Sequence, residues 1–293
     1  MSTTETPSGI YRYKAGDVVV TAVWDGFNPL ALKDGFVRNA TLPEIQDTLA
    51  SQFLPRETLN ITFTPLALQH GGKTVLIDTG FGKAGPGTAG RFLANLEAAG
   101  IAADTVTDIV FSHFHGDHVN GLRNAEGGLT FANAKLHAPR PEWDFWMDDA
   151  RMEQATEAQR KPFEMLRRIF GGVQDQVNLF VWDDEVVPGV TALDAKGHTP
   201  GHTAFMIGSG VDRLLMISDV TNHPALFFTN PDWAASFDMD AHDARKTRHR
   251  VLDLAASERL RIAGYHLPFP ATGYVERQGT GFRFAPAQWL YGA

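Results

Sequence analysis

The stretch Asp108-Ile-Val-Phe-Ser-His-Phe-His-Gly-Asp-His-Val-Asn-Gly121 decides both the fold and the chemistry of this chain. It begins as an apolar run typical of a buried β-strand and continues directly into three histidines and an aspartate within six residues. Imidazole nitrogens and carboxylate oxygens are ligands that zinc and similar divalent metals prefer. We therefore expect a metal site at the end of a strand, where α/β folds place their chemistry. The four candidate ligands are His113, His115, Asp117 and His118. The alternative is that they are ordinary polar surface or capping residues.

One short loop cannot surround two metal ions, so further ligands must come from other parts of the chain. Suitable residues stand beside three more apolar runs. They are the two histidines of Gly197-His-Thr-Pro-Gly-His202, the aspartate that ends Leu214-Leu-Met-Ile-Ser-Asp219, and the histidine that follows Arg261-Ile-Ala-Gly-Tyr265. By number, these candidates are His198, His202, Asp219 and His266. Each stands at a junction of strand and loop, as the first cluster does, so we expect them to converge on it.

The composition excludes several classes of protein. The 293 residues are 43% hydrophobic and 20% charged, a mixture typical of globular proteins. The absence of cysteine excludes a disulfide scaffold and a cysteine metal ligand. With 26 Lys and Arg against 34 Asp and Glu, the net charge of −8 disfavours nucleic acid as a partner. The apolar runs fall far short of the roughly 18 residues of a membrane span, and no secretory signal is visible. We therefore expect a cytoplasmic protein without membrane contact.

Strand and helix patterns alternate along the chain, which predicts a layered α/β fold with more than one sheet. No repeat or linker divides it, so we expect one domain over residues 10–293, preceded by a flexible N-terminus at residues 1–9. Strands are expected at residues 18–24, 61–68, 74–78, 108–112, 179–182, 204–207, 213–218 and 261–265. Helices are expected after a cap at Thr41 and at residues 88–99, 151–170 and 241–259.

The combined pattern resembles the metallo-β-lactamase superfamily, whose mark is His-x-His-x-Asp-His followed at a distance by His, Asp and His. The resemblance implies an αββα sandwich, in which two mixed β-sheets are flanked by helices and two metals lie at one edge. The first ion would be held by His113, His115 and His198, the second by Asp117, His118 and His266, and Asp219 would bridge them. Family usage favours His198 over the alternative His202. Leu76-Ile-Asp-Thr-Gly80 looks like the early strand and turn whose aspartate supports the metal loop without binding metal.

The end of the chain narrows the resemblance. Arg261-Ile-Ala-Gly-Tyr-His-Leu-Pro-Phe-Pro-Ala-Thr-Gly-Tyr274 looks like the tail of the methyl parathion hydrolase group and its lactonase and arylesterase relatives. That group implies a homodimer with an aromatic-rich pocket beside the metals. By the same resemblance, the substrate would contact Trp143, Trp146, Asn222 and Phe237. An apolar aromatic pocket favours a small neutral, hydrophobic or aryl substrate.

These observations predict a dinuclear metal hydrolase that acts on lactones or aryl esters, with organophosphate triesters as further substrates. Two divalent ions about 3.5–4 Å apart can share one water and hold it as a bridging hydroxide near neutral pH. Asp219 and Asp117 are the expected catalytic residues, the first by bridging the ions and the second by accepting a proton. Zinc is the first expectation for the metal, with manganese, cobalt or iron as alternatives.

Four other functions remain open at this point. Phosphotriester hydrolysis could be the main activity, as in methyl parathion hydrolase. Some superfamily members hold iron and carry out oxidative chemistry, and others are β-lactamases, thioesterases or nucleases. A non-catalytic binding module is the last alternative. The complete set of seven ligands favours a hydrolase over an oxidative enzyme or a binding module.

Overall fold

The computed structural model describes residues 9–290 of the chain. Residues 1–8, and with them nearly all of the flexible segment expected at residues 1–9, lie outside the described residues. The strands are β1 (Ile10–Ala15), β2 (Val18–Val23), β3 (Gly26–Ala31), β4 (Thr58–Phe63), β5 (Leu66–His70), β6 (Lys73–Ile77), β7 (Asp108–Val110), β8 (Lys135–Pro139), β9 (Val177–Phe180), β10 (Glu185–Val187), β11 (Val190–Asp194), β12 (Thr203–Ile207), β13 (Leu214–Ser218), β14 (Arg261–Gly264), β15 (Thr272–Gln278) and β16 (Gly281–Pro286). The α-helices are α1 (Leu42–Ser51), α2 (Phe92–Ala98), α3 (Gly116–Val119), α4 (Arg140–Trp146), α5 (Asp149–Gln154), α6 (Glu157–Phe170), α7 (Pro224–Phe227) and α8 (Ala241–Ser257).

The strands form two mixed seven-stranded sheets and one two-stranded ribbon. The first sheet has the order β1-β2-β5-β6-β7-β8-β9, and its strands are parallel from β6 onwards. The second sheet has the order β10-β11-β12-β13-β14-β15-β16, in which only the β13 and β14 pair is parallel. Strands β3 and β4 pair separately as the ribbon. This architecture confirms the expected α/β sandwich of two mixed sheets.

A shared core holds the two sheets together. Val20 and Ile77 of the first sheet belong to the same buried cluster as Phe205 and Met216 of the second. Complete burial of a large aliphatic or aromatic side chain stabilises the fold by about 1.5–3 kcal/mol. Because both sheets contribute to one core, we propose that the described residues form a single domain.

Helices cover the outer faces of both sheets. Side chains alternate along β13, so that Met216 faces the shared core while Leu215 and Ile217 face α8, where they meet Val251 and Leu252. On the first sheet, the outward face packs against α2, α4 and α6 in a second apolar cluster. Among the described residues, none of these helices combines the length and the hydropathy that a membrane crossing requires.

One predicted strand and one predicted helix are each divided into two elements in the structure, so both predictions are wrong in this respect. Residues 61–68 form β4 and β5 separately, because Pro65 lacks the backbone N–H that a continuous ladder needs. Residues 151–170 are divided between α5 and α6. Thr156 begins α6 as its N-cap, and its N–H donates to the side-chain oxygen of Gln159 at 3.1 Å. The sequence analysis missed this capping box.

Most other boundaries lie close to those expected. The cap at Thr41 is confirmed, and the Glu44 carboxylate accepts its N–H at 2.7 Å. The helix expected at residues 88–99 begins later, at Phe92, and the strand expected at residues 179–182 begins earlier, at Val177. The sequence analysis did not predict β1, β3, β8, β10, β11, β15 or β16.

Candidate metal centre

Four segments that lie far apart in the chain meet at one end of the sandwich. The first follows β7, the second precedes β12, and the other two follow β13 and β14. In two groups, the ligand atoms all lie within 4.8 Å of one another: His113, His115 and His198, and Asp117, His118, Asp219 and His266. The seven residues expected from the sequence are therefore brought together. Their role as metal ligands stays a prediction.

Asp219 touches both groups. Its Oδ2 atom lies 3.4 Å from His198 Nε2 and 2.8 Å from His266 Nε2, while its Oδ1 atom lies 3.3 Å from His118 Nε2. The side chain is only 2% exposed. A carboxylate in this position can offer one oxygen to each of two neighbouring cations.

Asp78 organises the loop that follows β7. It is completely buried, and its carboxylate accepts the N–H of Ser112 at 2.8 Å, the Ser112 hydroxyl at 2.8 Å and the Nδ1–H of His118 at 2.7 Å. Gly121 closes the same loop against the Asp78 turn, because a Cβ atom there would lie 1.9 Å from the Thr79 carbonyl oxygen. Asp78 thus contacts the metal loop without belonging to either ligand group.

Backbone and carboxylate acceptors fix the orientation of the other histidine rings. Nδ1 of His198 lies 2.9 Å from Asp238 Oδ1, and Nδ1 of His266 lies 2.8 Å from the Thr62 carbonyl oxygen. These oxygens can only accept, so each ring donates its Nδ1 proton outward. The Nε2 atom of each ring consequently points into the cluster, as in histidines that bind metals through this atom.

The inward-facing nitrogen and oxygen atoms of the cluster lie very close to one another. His118 Nε2 is buried without a hydrogen-bond partner, 3.3 Å from oxygens of both Asp117 and Asp219. His115 Nδ1 lies 3.1 Å from His113 Nε2 and 2.9 Å from His198 Nε2. Converging nitrogen and oxygen donors of this kind can surround a cation. The donor set of nitrogen and carboxylate oxygen therefore fits a pair of divalent metal ions.

Burial and mutual charge set the protonation of the cluster. Burial lowers the pKa of His113 well below its usual value and that of His115 to about 3, which keeps both rings neutral. Burial opposes a charge on His118, but the neighbouring carboxylates raise its pKa well above the usual value. Burial likewise opposes ionisation of Asp219, but the adjacent His266 and His118 lower its pKa well below the usual range. Asp219 is therefore ionised and able to act as a ligand.

Comparison with known proteins identifies the family. The model of the metallo-β-lactamase superfamily matches residues 66–266, a range that contains every candidate ligand. The chain belongs to this superfamily. The resemblance drawn from the sequence is thereby confirmed, and the coarse function that follows is that of a metallo-hydrolase. No curated protein sequence matches the chain.

Solved structures of this superfamily align with nearly the whole chain. One is AidC, a dizinc quorum-quenching lactonase in complex with the product N-hexanoyl-L-homoserine. Its sequence is 26% identical, the TM-score is 0.90, and the alignment covers 96% of this chain and 98% of the AidC chain. The hydrolase AbOPH is 24% identical with a TM-score of 0.88, over 96% and 98% of the two chains. A probable metal-dependent hydrolase from Staphylococcus aureus is 19% identical with a TM-score of 0.76, over 95% and 100%. The last two likenesses show the fold alone.

His202, the alternative to His198 as a metal ligand, differs from the other candidate ligands in its contacts. Its Nδ1 atom lies 2.8 Å from the Ala195 carbonyl oxygen, and its Nε2 atom accepts the backbone N–H of Asp219 at 3.1 Å. Both ring nitrogens are thus occupied by the protein itself, although His202 lies in a third close group with His113 and Asp219. These contacts favour His198 as the ligand and give His202 the task of holding the backbone at Asp219.

Glu142 is a buried residue of the site that the sequence analysis missed. Its Oε1 atom accepts the backbone N–H of Phe114 at 3.0 Å and the Nε1–H of Trp146 at 2.8 Å. Its Oε2 atom accepts the N–H of Gly201 at 2.8 Å. Glu142 thereby joins the loop that carries His115 to the loop that carries His198. Its place in an aromatic helical stretch, four residues before a tryptophan, was the available signal.

Asp238 and Arg248 were also missed. Asp238 holds the outer nitrogen of His198 and lies 3.2 Å from the Arg248 guanidinium. Arg248 is 1% exposed and donates further hydrogen bonds to carbonyl oxygens of the segment between β13 and α8. Only the fold shows these contacts, because the sequence around Arg248 is a basic run typical of an exposed helix face.

The four expected substrate contacts lie in different surroundings. Trp146 lines a cleft of about 860 Å³ that also borders His115. Trp143 is not among the residues lining that cleft; it is partly buried and packs edge-on against Phe114 and Phe170. The two remaining residues lie beside the cluster: the Phe237 ring centroid is 5.9 Å from that of His198, and Asn222 Nδ2 is 3.3 Å from Asp219 Oδ2. Substrate contact by Trp143, Trp146, Asn222 and Phe237 stays a prediction.

Proposed function

We propose that this protein is a dinuclear metal-dependent hydrolase that opens lactone rings and also accepts aryl esters. The observation that carries the proposal is the convergence of seven histidine and aspartate side chains in two groups, within each of which the ligand atoms lie within 4.8 Å of one another. The likeness to AidC, described as a dizinc lactonase, supports lactones as the substrate class.

The ligand assignment follows the two close groups. One divalent ion is assigned to His113, His115 and His198, the other to Asp117, His118 and His266, with Asp219 shared. Zinc is the proposed metal, because nitrogen-rich sites of this kind suit it and AidC is a dizinc enzyme. Acceptors on the outer side of the rings hold the histidines in place for this role.

Two bound divalent ions supply a water of lowered pKa and an electrophile for the carbonyl oxygen. Hydrolysis of a lactone adds one water across the acyl C–O bond and leaves a carboxylate and a hydroxyl group. The departing ring oxygen therefore needs a proton. We assign this transfer to the Asp117 carboxylate, which would take up the proton that the water loses on addition and pass it to the ring oxygen; it is 16% exposed, whereas the Asp219 carboxylate is 2% exposed. Asp117 is held by Tyr265, whose hydroxyl donates to its carbonyl oxygen at 2.6 Å.

The cleft beside His115 supports an acyl or aryl substrate. Phe145, Trp146, Phe163 and Met165 supply an apolar wall. Its volume of about 860 Å³ is within the range of small-molecule sites. Organophosphate hydrolysis, a homodimeric state and a cytoplasmic location stay predictions from the sequence.

Metal analysis combined with a substrate panel tests this function. We expect two metal ions per chain and turnover of N-hexanoyl-L-homoserine lactone, followed by proton release, with weaker turnover of a p-nitrophenyl ester. His198→Ala should lose the lactone turnover. His249→Ala is the matched control, because His249 pairs with Asp232 on the exposed surface. Turnover of only a β-lactam or a phosphotriester, or full activity of His198→Ala, would contradict the proposal.

A further inference from the structure

The cleft beside the metal cluster has a cationic side that neither the lactonase chemistry nor the apolar wall requires. Arg151, Lys161 and Arg168 belong to its lining. Among the described residues that line the cleft, none is acidic. This local excess of positive charge contrasts with a net charge of −8 for the whole chain.

Two of these cations lie on the same face of α6 as an apolar residue of the cleft wall. Lys161, Met165 and Arg168 are four and three residues apart on α6, so their side chains share one face of the helix. All three belong to the cleft lining. The neighbouring Arg167 does not; it forms an ion pair with Asp149 at 2.7 Å.

Arg151 reaches the cleft from α5. Its guanidinium lies over the ring of Phe145, 4.9 Å from the ring centroid, so the charge rests on the aromatic wall. It also pairs with Asp148 at 3.2 Å, but both side chains of that pair are well exposed, and Asp148 does not line the cleft. An exposed pair of this kind neutralises the cation only weakly.

Two of the cations stand on either side of a wall residue that borders the metal cluster. A Cβ atom on Gly116, next to His115, would lie 3.6 Å from the Met165 sulfur, so this methionine borders the metal end of the cleft. Lys161 and Arg168 stand about one helical turn, roughly 5.4 Å, to either side of Met165. A flexible acyl chain of about six carbons spans such a distance.

We propose that the cleft selects amphiphilic lactones or esters whose acyl chain ends in a carboxylate or a similar anionic group. The apolar wall holds the chain, and Arg151, Lys161 and Arg168 attract its anionic end. This inference rests on the proposed function and narrows its substrate class. It differs from the neutral substrate that the sequence led us to expect.

A matched pair of substrates tests the inference. N-hexanoyl- and N-adipoyl-L-homoserine lactone have acyl chains of equal carbon number, and only the second ends in a carboxylate. For the zinc-loaded protein at low salt, we expect kcat/KM to be about tenfold higher for the adipoyl lactone, equivalent to about 1.4 kcal/mol. About 0.5 M salt should remove most of this preference, because the cations are exposed to solvent.

Variants locate the effect. Lys161→Gln combined with Arg168→Gln should remove most of the preference for the adipoyl lactone, since a neutral chain gains little from the charges. The control combines Lys14→Gln with Lys135→Gln, which removes the same charge from exposed strand positions outside the cleft. The control should keep the tenfold preference.

A titration without turnover completes the test. The ring-opened products N-hexanoyl- and N-adipoyl-L-homoserine are titrated calorimetrically into the zinc-loaded protein, and tighter binding of the adipoyl product is expected. Equal turnover of the two lactones, or an unchanged preference in the cleft variant, would overturn the anionic substrate class and leave the lactonase proposal standing. Failure to turn over either lactone would instead overturn the lactonase proposal, and the titration would still decide the preference of the cleft.

Discussion

The metal cluster and the adjacent cleft are built in opposite ways. In the cluster, buried groups hold the ligands from outside, as Asp78 holds His118 and Asp238 holds His198. The cleft is lined in part by exposed side chains of α5 and α6, such as Lys161 and Arg168. Groups fixed before substrate arrives suit the chemical step, whereas loosely held groups can adapt to different substrates. The reaction is therefore assigned to the cluster and the choice of substrate to the cleft.

The largest effect is expected at Asp219. Because this residue touches both ligand groups, Asp219→Ala should lower lactone kcat/KM by at least about 10³-fold and reduce the bound metal to one ion or fewer. Elemental analysis and steady-state kinetics measure the two quantities. Asp232→Ala provides the control, since Asp232 is exposed and pairs with a surface histidine. Two tightly bound ions in Asp219→Ala would remove the distinction between cluster and cleft.

The residues behind the ligands should give the next largest effect. Asp78→Asn replaces a carboxylate that accepts three hydrogen bonds with an amide that must turn a donor toward one of its donors. We expect metal affinity to fall by about 10–100-fold, as is usual for the outer partners of metal-binding histidines. Competition with a chromophoric chelator measures the affinity. Exposed Asp104 supplies the control variant Asp104→Asn. Unchanged affinity in Asp78→Asn would mean that the loop holds its shape without this carboxylate.

Glu142 connects the two regions, and its loss should affect stability more than chemistry. Three N–H donors face its buried carboxylate, so Glu142→Gln forces an amide N–H toward a donor. The free energy of unfolding should fall by about 1–3 kcal/mol. Urea unfolding of the zinc-loaded protein measures this change. Glu164→Gln, at an exposed position of α6, should stay within about 0.5 kcal/mol of the parent. An equal midpoint for the two variants would contradict the assigned role.

The smallest effect is expected within the cleft itself. Met165→Ala removes part of the apolar wall, so KM for a long-chain acyl lactone should rise by about three- to tenfold while a short-chain lactone is unaffected. The metal content should stay at two ions per chain. Loss of metal in this variant would show that the cleft and the cluster are not independent.

The same difference between the two regions explains what the sequence could reveal. The cluster was predictable because its ligands are chemically distinctive and stand at strand ends, as at His113 and Asp219. Family usage favoured His198 over His202 from the sequence, and the fold adds a physical reason, since the N–H of Asp219 occupies the Nε2 atom of His202. Arg248 was not predictable, because a buried charge and an exposed one look alike in a helical sequence.

The cleft could be predicted only in part. The aromatic stretch predicted substrate contact for Trp143 and Trp146 alike; Trp146 lines the cleft, whereas Trp143 packs against Phe170. The cationic lining was not predicted, because the sequence indicated one helix at residues 151–170. In the structure this stretch is divided between α5 and α6, and both helices contribute cations to the cleft. Side-chain direction in such a segment is decided by packing, which residue spacing alone does not fix.

Anomalous scattering from crystals of the zinc-reconstituted protein, measured above the zinc absorption edge, tests the metal centre most directly. We expect two peaks per chain, one contacted by the ring nitrogens of His113, His115 and His198, the other by Asp117, His118 and His266, with Asp219 between them. A single peak, peaks elsewhere in the chain, or a zinc ion contacted by His202 in place of His198 would contradict the proposed dinuclear centre.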